Sequence, residues 1–428
     1  MHQDPRPSTR RAAKTPSIAR HGRLKTNSVW KTIAKSVVAA FAVVLVSGVA
    51  VGAYAAWDLA STVKPTVTLE SEKVLEGVPD VGAIDGGVNF LLIGSDSRQG
   101  QGEAFGDPDE ETAVLNDVTM LLHISQDHSH VEVISFPRDM LVSVPECTDP
   151  EDPSDTLSPM SSAKINSVLS YGGMECVVKT VENQLGITIP FAGIVQFLGV
   201  AGLSEAIGGV DVCIAEPIED EYTGMFLDAG NHTLAGIDAL QFLRTRHGVG
   251  DGSDLGRISN QQVFLSSLVR KLQSEGTLSD PVKLYGIAKA ALANMQLSSA
   301  LTNPTTMISI AKAMQDVDLS KIAFIQYPTS YVEGGGAVEP NYLADEVNLA
   351  LQQDIPVVLS TAQETDFASA ADPNAAPPAE EAPAEEAPAE EAPAEAAPTP
   401  TQAALPEGVS GQTAADVRCS AGRTLDDQ

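Results

Sequence analysis

The chain has 428 residues, 43% of them hydrophobic and 5% aromatic, enough to bury one large core or two modest ones. Its formal net charge is −31, but residues 1–36 carry nine Lys or Arg against the single acid Asp4, so this leader is near +8 and the remainder near −39. That imbalance argues against direct DNA binding, because any basic footprint is confined to a short leader.

Residues 37–56, "VVAAFAVVLVSGVAVGAYAA", are uncharged. At about 1.5 Å rise per residue such a run matches a hydrocarbon core of roughly 30 Å. Trp57 follows at the expected interface, and the basic residues before the span place the N-terminus in the cytoplasm and the rest of the chain outside. A cleaved signal peptide is the competing reading, encouraged by "AYAA" at 53–56. The apolar run is long for a signal core of about 7–15 residues, which favours an uncleaved anchor. The predicted organisation is therefore a basic cytoplasmic leader (1–36), a transmembrane helix (37–57) and a stalk (58–85).

From residue 86 the texture changes. Short apolar or alternating runs at 88–94, 118–124 and 131–137, bounded by Gly, Asp, Ser or Pro, read as strands, with later ones at 210–215 and 321–328. Helical spacing marks 176–186, 197–208 and 235–246, mostly stopping near glycine. Interspersed strands and helices argue an α/β sandwich with a covered sheet, assigned to residues 86–365. Beyond residue 366 "PAEEA" recurs with a five-residue period, a charged, proline-rich composition that cannot bury enough apolar surface to fold. Residues 366–406 are expected to be a disordered linker, and 407–428 a tail too short for a domain.

Cys147, Cys176, Cys213 and Cys419 all follow the apolar span, on the side where disulfides persist, and their spacing fits no zinc pattern. Of three connectivities, Cys147 with Cys176 and Cys213 with Cys419 is favoured, since the first pair flanks one Pro/Ser/Asp-rich loop.

Several polar residues stand where chemistry is expected. "LLIGSDSR" (91–98) ends a strand and offers Asp96 and Arg98 at its carboxyl end, where α/β folds place ligands, although Gly, Ser and Asp are also ordinary turn residues. Asp117 opens the next strand; if the two strands are neighbours, Asp96 and Asp117 converge and suit a hard divalent cation such as Mg²⁺ or Mn²⁺. Arg138 follows a third strand and a proline, where a surface ion pair is the bland alternative. In "RTRHGVGDGSDLGRISNQQ" (244–262) one helix delivers Arg244 and Arg246, a glycine-rich bend reverses the chain, and a second helix begins near Leu255, with Ser253 or Asp254 as its cap. Arg257 and Gln261 stand four apart on one face of that helix. Its N-terminus, ringed by Arg244, Arg246 and Arg257, reads as a phosphate or pyrophosphate clamp; salt bridging to local acids is the alternative. His123 and His247 are lone histidines, more often packed or solvated than chemical. No Walker A loop, dinucleotide fingerprint or nucleophile elbow is present.

In order, "NFLLIGSDSR", "NDVTMLLHIS", "VISFPRDM", "KINSVLSYGG", "AIGGVDVCI" and the arginine-rich segment resemble the LytR-CpsA-Psr family of membrane-anchored wall-polymer transferases, over roughly residues 86–272. The resemblance implies an α/β/α sandwich with a central mixed β-sheet and an apolar cleft for the lipid of a polyprenyl-pyrophosphate-linked glycan. Carried onto matching positions, it implies that Asp96 and Asp117 bind Mg²⁺ and that Arg98, Arg138, Lys164, Arg244, Arg246, Arg257 and Gln261 surround the pyrophosphate. Asp96, Arg98 and Arg244 are then the catalytic set, with Asp96 also considered as base. Such an enzyme passes the glycan to a peptidoglycan hydroxyl. One departure is Leu115, where many relatives carry an arginine. The tail "SGQTAADVRCSAGR" is similar to the ends of some actinobacterial members. The alternatives are a membrane-bound regulator of envelope assembly without catalysis, and a polyprenyl-pyrophosphate phosphatase that uses water as acceptor. The implied partners are the glycan donor, peptidoglycan and the cytoplasmic membrane.

Overall fold

The computed structural model describes residues 29–62, 64, 66–78, 84, 86–101, 114–274, 277, 280–357, 359, 369–371 and 409–428. The leader up to residue 28, and all of the 366–406 linker but residues 369–371, lie outside the described residues. Two compact units divide the chain, Met1–Ala55 and Ala56–Gln428.

The first unit consists, where described, of helix α1 (Val29–Thr62), whose end runs into the second. Its apolar side chains, such as Val38, Phe41 and Val49, are exposed. By length and composition it is one helix able to cross a membrane, and it contains the expected span.

The second unit is built on a mixed seven-stranded sheet. Its order is Met295–Leu297, Phe191–Val195, β1 (Val88–Ser95), β2 (Asn116–Ile124), β3 (Val131–Phe136), Ile322–Gln326 and Gly411–Thr413. β1 and β2 are antiparallel, as are β2 and β3, whereas β1 runs parallel to Phe191–Val195 and β3 parallel to Ile322–Gln326. Alternation decides the two faces. Leu91, Ile93, Leu121, Ile134 and Ile325 pack on one side with α2 (Val168–Leu185) and with Leu343 and Val347 of the helix Tyr342–Gln352. Val88, Ile124, Val131, Phe191 and Phe324 pack on the other with Ala291, Leu292 and Ala313 from the helices Pro281–Asn294 and Pro304–Gln315. Both faces are covered, as the α/β/α reading requires. A four-stranded sheet, Gly230–Leu234, Val210–Ile214, Arg418–Ser420 and Ser369–Ala371, adds a smaller core in which Val210, Val212 and Ile214 meet Phe242 and Phe264.

Several expected boundaries differ. The 58–85 stretch is no free stalk: Leu59, Leu69 and Ile84 are buried in the two main cores, and Val67 N donates to Leu297 O at 3.4 Å. A few anchoring residues suffice for this and leave no period to read. The helix expected at 176–186 begins at Val168, with a kink at Gly172 and Gly173. The tail is likewise structural. Residues 411–413 form an edge strand of the main sheet, and 418–420 run parallel to Val210–Ile214, putting Cys419 opposite Cys213. Both favoured disulfides are present, Cys147–Cys176 and Cys213–Cys419.

Candidate active site

α4 (Gly236–Arg244) is the helix expected over 235–246, and it stops two residues early. Asp220 is the cause: its Oδ2 accepts from Thr245 Oγ1 at 2.6 Å and from Arg246 N at 3.1 Å, which holds Thr245 at φ −59°, ψ 137° and turns Arg246 off the helix. Its Oδ1 accepts from Tyr222 N and Thr223 N. Burial opposes the charge on Asp220, yet these donors together hold its carboxyl below the ordinary 3.8. The bend that follows uses Gly250 and Gly252 at φ 52° and 79°, a left-handed region that favours glycine.

α5 (Asp254–Ser274) then begins, with Ser253 Oγ accepting from Gly256 N at 3.2 Å as the expected cap. Two side chains of its second turn reach back to α4. Asn260 Nδ2 donates to Phe242 O at 2.8 Å and Gln261 Nε2 to Leu243 O at 2.9 Å, satisfying carbonyls of α4's last turn that have no partner within the helix. Asn260 Oδ1 also accepts from Ser420 Oγ of the tail. The tail meets the bend directly: Gly250 N donates to Ala421 O at 3.0 Å and Arg423 N to Gly248 O at 2.8 Å.

Between these helices and the sheet lies a cavity of about 330 Å³. Leu92, Val118 and Met120 of the sheet, Val200 of α3 (Phe197–Ile207), Leu240 and Leu243 of α4 and Leu265 of α5 make its apolar wall. Arg138, Arg244, Arg246, Arg257, Gln261 and Asp117 line the same cavity. Arg257 is only 5% exposed, with Nη2 donating to Asp117 O at 2.6 Å and lying 2.7 Å from Asp254 Oδ1. Arg138 pairs with Asp117 at 2.7 Å, and its backbone N donates to Asp254 Oδ2. Arg244 lies over the Phe197 ring, 4.3 Å from the centroid. Despite these contacts, the Nε atoms of Arg138, Arg246 and Arg257 are buried and make no hydrogen bond. Burial lowers the pKa values of Arg244 and Arg246, and neighbouring guanidiniums add to it: Arg98 and Arg257 for the first, Arg138 and Arg257 for the second. Guanidiniums stay protonated regardless. The result is like charge gathered around unsatisfied donors, an arrangement that an anion relieves.

Asp96 leaves the end of β1 with its Oδ1 accepting from Leu115 N at 2.7 Å. Burial raises its carboxyl above the ordinary range against that hydrogen bond, and the charge of Asp117 raises it further. The two carboxylates are thus close enough to oppose each other. Arg98 is close enough for its charge to act on both Asp96 and Arg244. Lys164 stands one residue further out, with Nζ 2.6 Å from Asp139 Oδ1; the other oxygen of Asp139 lies 3.7 Å from Arg138 Nε. The structure therefore brings Arg138, Arg244, Arg246, Arg257, Gln261 and Asp117 onto one cavity, sets Asp96 and Arg98 beside it, and reaches Lys164 only through Asp139.

Phe197, Asp220, Tyr222 and Asn260 carry this site and were not picked out in the sequence. Tyr222 lines the cavity and packs at a tilt against His247, ring centroids 4.5 Å apart. The one available signal was Asn260, within the arginine-rich segment.

A model of the LytR_cpsA_psr family matches residues 57–353. The Corynebacterium glutamicum cell wall biosynthesis protein LcpA is 28% identical over 296 residues, covering 64% of this chain and 56% of its own length. The chain thus spans little more than half of that relative. The Bacillus subtilis polyisoprenyl-teichoic acid–peptidoglycan teichoic acid transferase TagT is 24% identical over 316 residues, 72% of this chain and 90% of the relative. The crystal structure of protein gbs0355 from Streptococcus agalactiae aligns with a TM-score of 0.50 at 20% identity, covering 62% of this chain and 87% of that one, a likeness of fold.

Proposed function

We propose, for a chain that belongs to the LytR-CpsA-Psr family, that it transfers a glycopolymer from a polyprenyl-pyrophosphate carrier to a hydroxyl of peptidoglycan. The observation that carries this reading is one cavity with an apolar wall and four arginines, three of them with buried, unsatisfied Nε donors. An isoprenoid fits the wall and a diphosphate fits the donors. Teichoic acid–peptidoglycan transfer, the activity in TagT's name, is chemistry of this class.

In the proposed reaction the acceptor oxygen forms a bond to the glycan-side phosphorus, and the phosphorus–oxygen bond of the pyrophosphate bridge breaks. The products are a phosphodiester and the polyprenyl monophosphate; the hydroxyl proton leaves to a base, a role assigned to Asp96, whose carboxyl burial raises above the ordinary range. Arg138, Arg244, Arg246 and Arg257 neutralise charge that grows on the phosphoryl and leaving-group oxygens. Asp220 positions Arg246, and Gln261, its Nε2 occupied by α4, positions Arg244. Asp96 and Asp117 are an all-oxygen donor pair whose charges oppose each other, and so fit Mg²⁺ or Mn²⁺. Bound there, such an ion would neutralise pyrophosphate charge. Leu115 leaves one family phosphate contact unfilled, and Arg98, whose charge acts on both Asp96 and Arg244, is assigned its place.

The test uses the full chain in detergent with a polyprenyl-diphosphate glycan and peptidoglycan oligomers. Release of polyprenyl monophosphate should depend on Mg²⁺ or Mn²⁺ and fall by about 10²–10³ in Arg244→Ala and Arg257→Ala. Full turnover in both variants sinks the assignment. Release without glycan transfer favours a phosphatase, and lipid binding without release favours a regulator.

A further inference from the structure

At the end of the sheet away from the arginine cavity, one register row is polar where the face is otherwise apolar. Asn89 stands opposite His123, and His123 opposite Glu132, across β1, β2 and β3. The next row on that face is Leu91, Leu121 and Ile134, all fully buried. His123 and Glu132 are each 1% exposed, as deep as those leucines. His130, just before β3, joins them at 4% exposure, and the ligand atoms of His123, His130 and Glu132 all lie within 4.8 Å of one another. Asp354, beyond the helix Tyr342–Gln352, brings Oδ1 to 3.1 Å from His123 Nε2.

The hydrogen bonds fix which atoms face inward. Asn89 Nδ2 donates to Thr188 O at 2.8 Å, which turns its Oδ1 toward His123 Nδ1 at 2.7 Å. Nδ1 therefore carries a proton, and Nε2 faces the cluster, 3.1 Å from Asp354 Oδ1. His130 Nε2 and Glu132 Oε2 are buried there with no hydrogen-bond partner; the nearest approach between those two side chains, Nε2 to Oε1, is 3.7 Å. A buried imidazole nitrogen and carboxylate oxygen left without partners are costly unless a proton or a metal cation lies between them.

We infer that His123, His130 and Glu132 form the core of a structural site for a divalent metal of the zinc class, which Asp354, held against His123, completes as fourth ligand. Two imidazoles and two carboxylates make a borderline four-ligand set that suits Zn²⁺ better than Mg²⁺. Asn89 is the outer partner that fixes a ligating histidine's tautomer. The site fastens the chain after the helix Tyr342–Gln352 to the sheet, since Gln126 N donates to Asp354 Oδ2 and Val357 N to Glu132 Oε1. It is separate from the Asp96 and Asp117 pair, which lies roughly 20 Å away along β1.

The full chain in detergent, stripped with a chelator, is titrated with Co²⁺ and then Zn²⁺. The expected result is one Co²⁺ per chain with the intense visible absorption of four-coordinate cobalt, displaced by Zn²⁺ and retained in the Asp96→Asn, Asp117→Asn double variant. Asn89→Ala should weaken Zn²⁺ binding by about 10- to 100-fold, and His130→Gln and Asp354→Asn by at least as much. Asp354 is partly exposed, so its variant tests the site with little risk to folding. The inference is overturned if the wild type binds no Co²⁺ or gives only the pale spectrum of six-coordinate cobalt. It is equally overturned if His130→Gln and Asp354→Asn titrate like the wild type.

Discussion

Asp220 accepts four hydrogen bonds, from two backbone amides of its own turn and from Thr245 Oγ1 and Arg246 N. Asp220→Asn sets an amide NH₂ against groups that are already donors, so it should destabilise by about 1–3 kcal/mol. The sign of the pH effect follows from the depressed carboxyl. Stability from Asp220 is present above the unfolded value of 3.8 and is lost as pH falls through the lower folded value. Denaturant unfolding of wild type and variant should therefore differ by a constant amount at neutral pH and converge below pH 3.8; parallel curves throughout would remove the ionised carboxylate from the argument. The arginines of this site were legible in the sequence because unusual charge gathers in one short segment. Asp220 was not: in "PIEDEYTG" it is one acid among several, and its decisive partners lie 25 and 26 residues away. Asn260 lay inside the arginine-rich segment, but its role was not legible there, since its partners are a backbone carbonyl and a serine 160 residues on.

Among the elements, the central strands could be read from alternation alone, and β1, β2 and β3 lie within two residues of their expected bounds. The edge strand Gly411–Thr413 and the strand Arg418–Ser420 could not, because three residues carry no period. Their effect is nonetheless large. The Cys213–Cys419 bridge closes a separation of 206 residues, for which the chain-entropy account gives about 5 kcal/mol. Cys419→Ser should lose stability of that order in denaturant and should also slow turnover, because Ala421 and Arg423 hold the bend between the arginines. A variant with lowered stability but unchanged turnover would show that the bend holds itself. On the opposite wall, Val200→Trp in α3 narrows the apolar part of the cavity while leaving every charged group in place. It should raise KM for long polyprenyl donors more than for short analogues; equal effects on both would place the lipid elsewhere.

For the whole molecule, α1 is one helix long and apolar enough to span a bilayer, and with it the chain should stay in the membrane pellet after an alkaline carbonate wash. Recovery in the wash supernatant would sink the anchor reading. Chain order also bears on when the site can exist. Every charged group proposed for the arginine cavity precedes residue 262, yet the residues that brace the bend lie at 420–423, after the long Pro/Ala/Glu tract. A ribosome finishes the last clasp after all the groups that it steadies. A nonsense codon just upstream of Arg418 would accordingly spare each of those groups and still yield a protein whose guanidiniums lack their keystone, so a lesion there should mimic one in the codons of the arginines themselves.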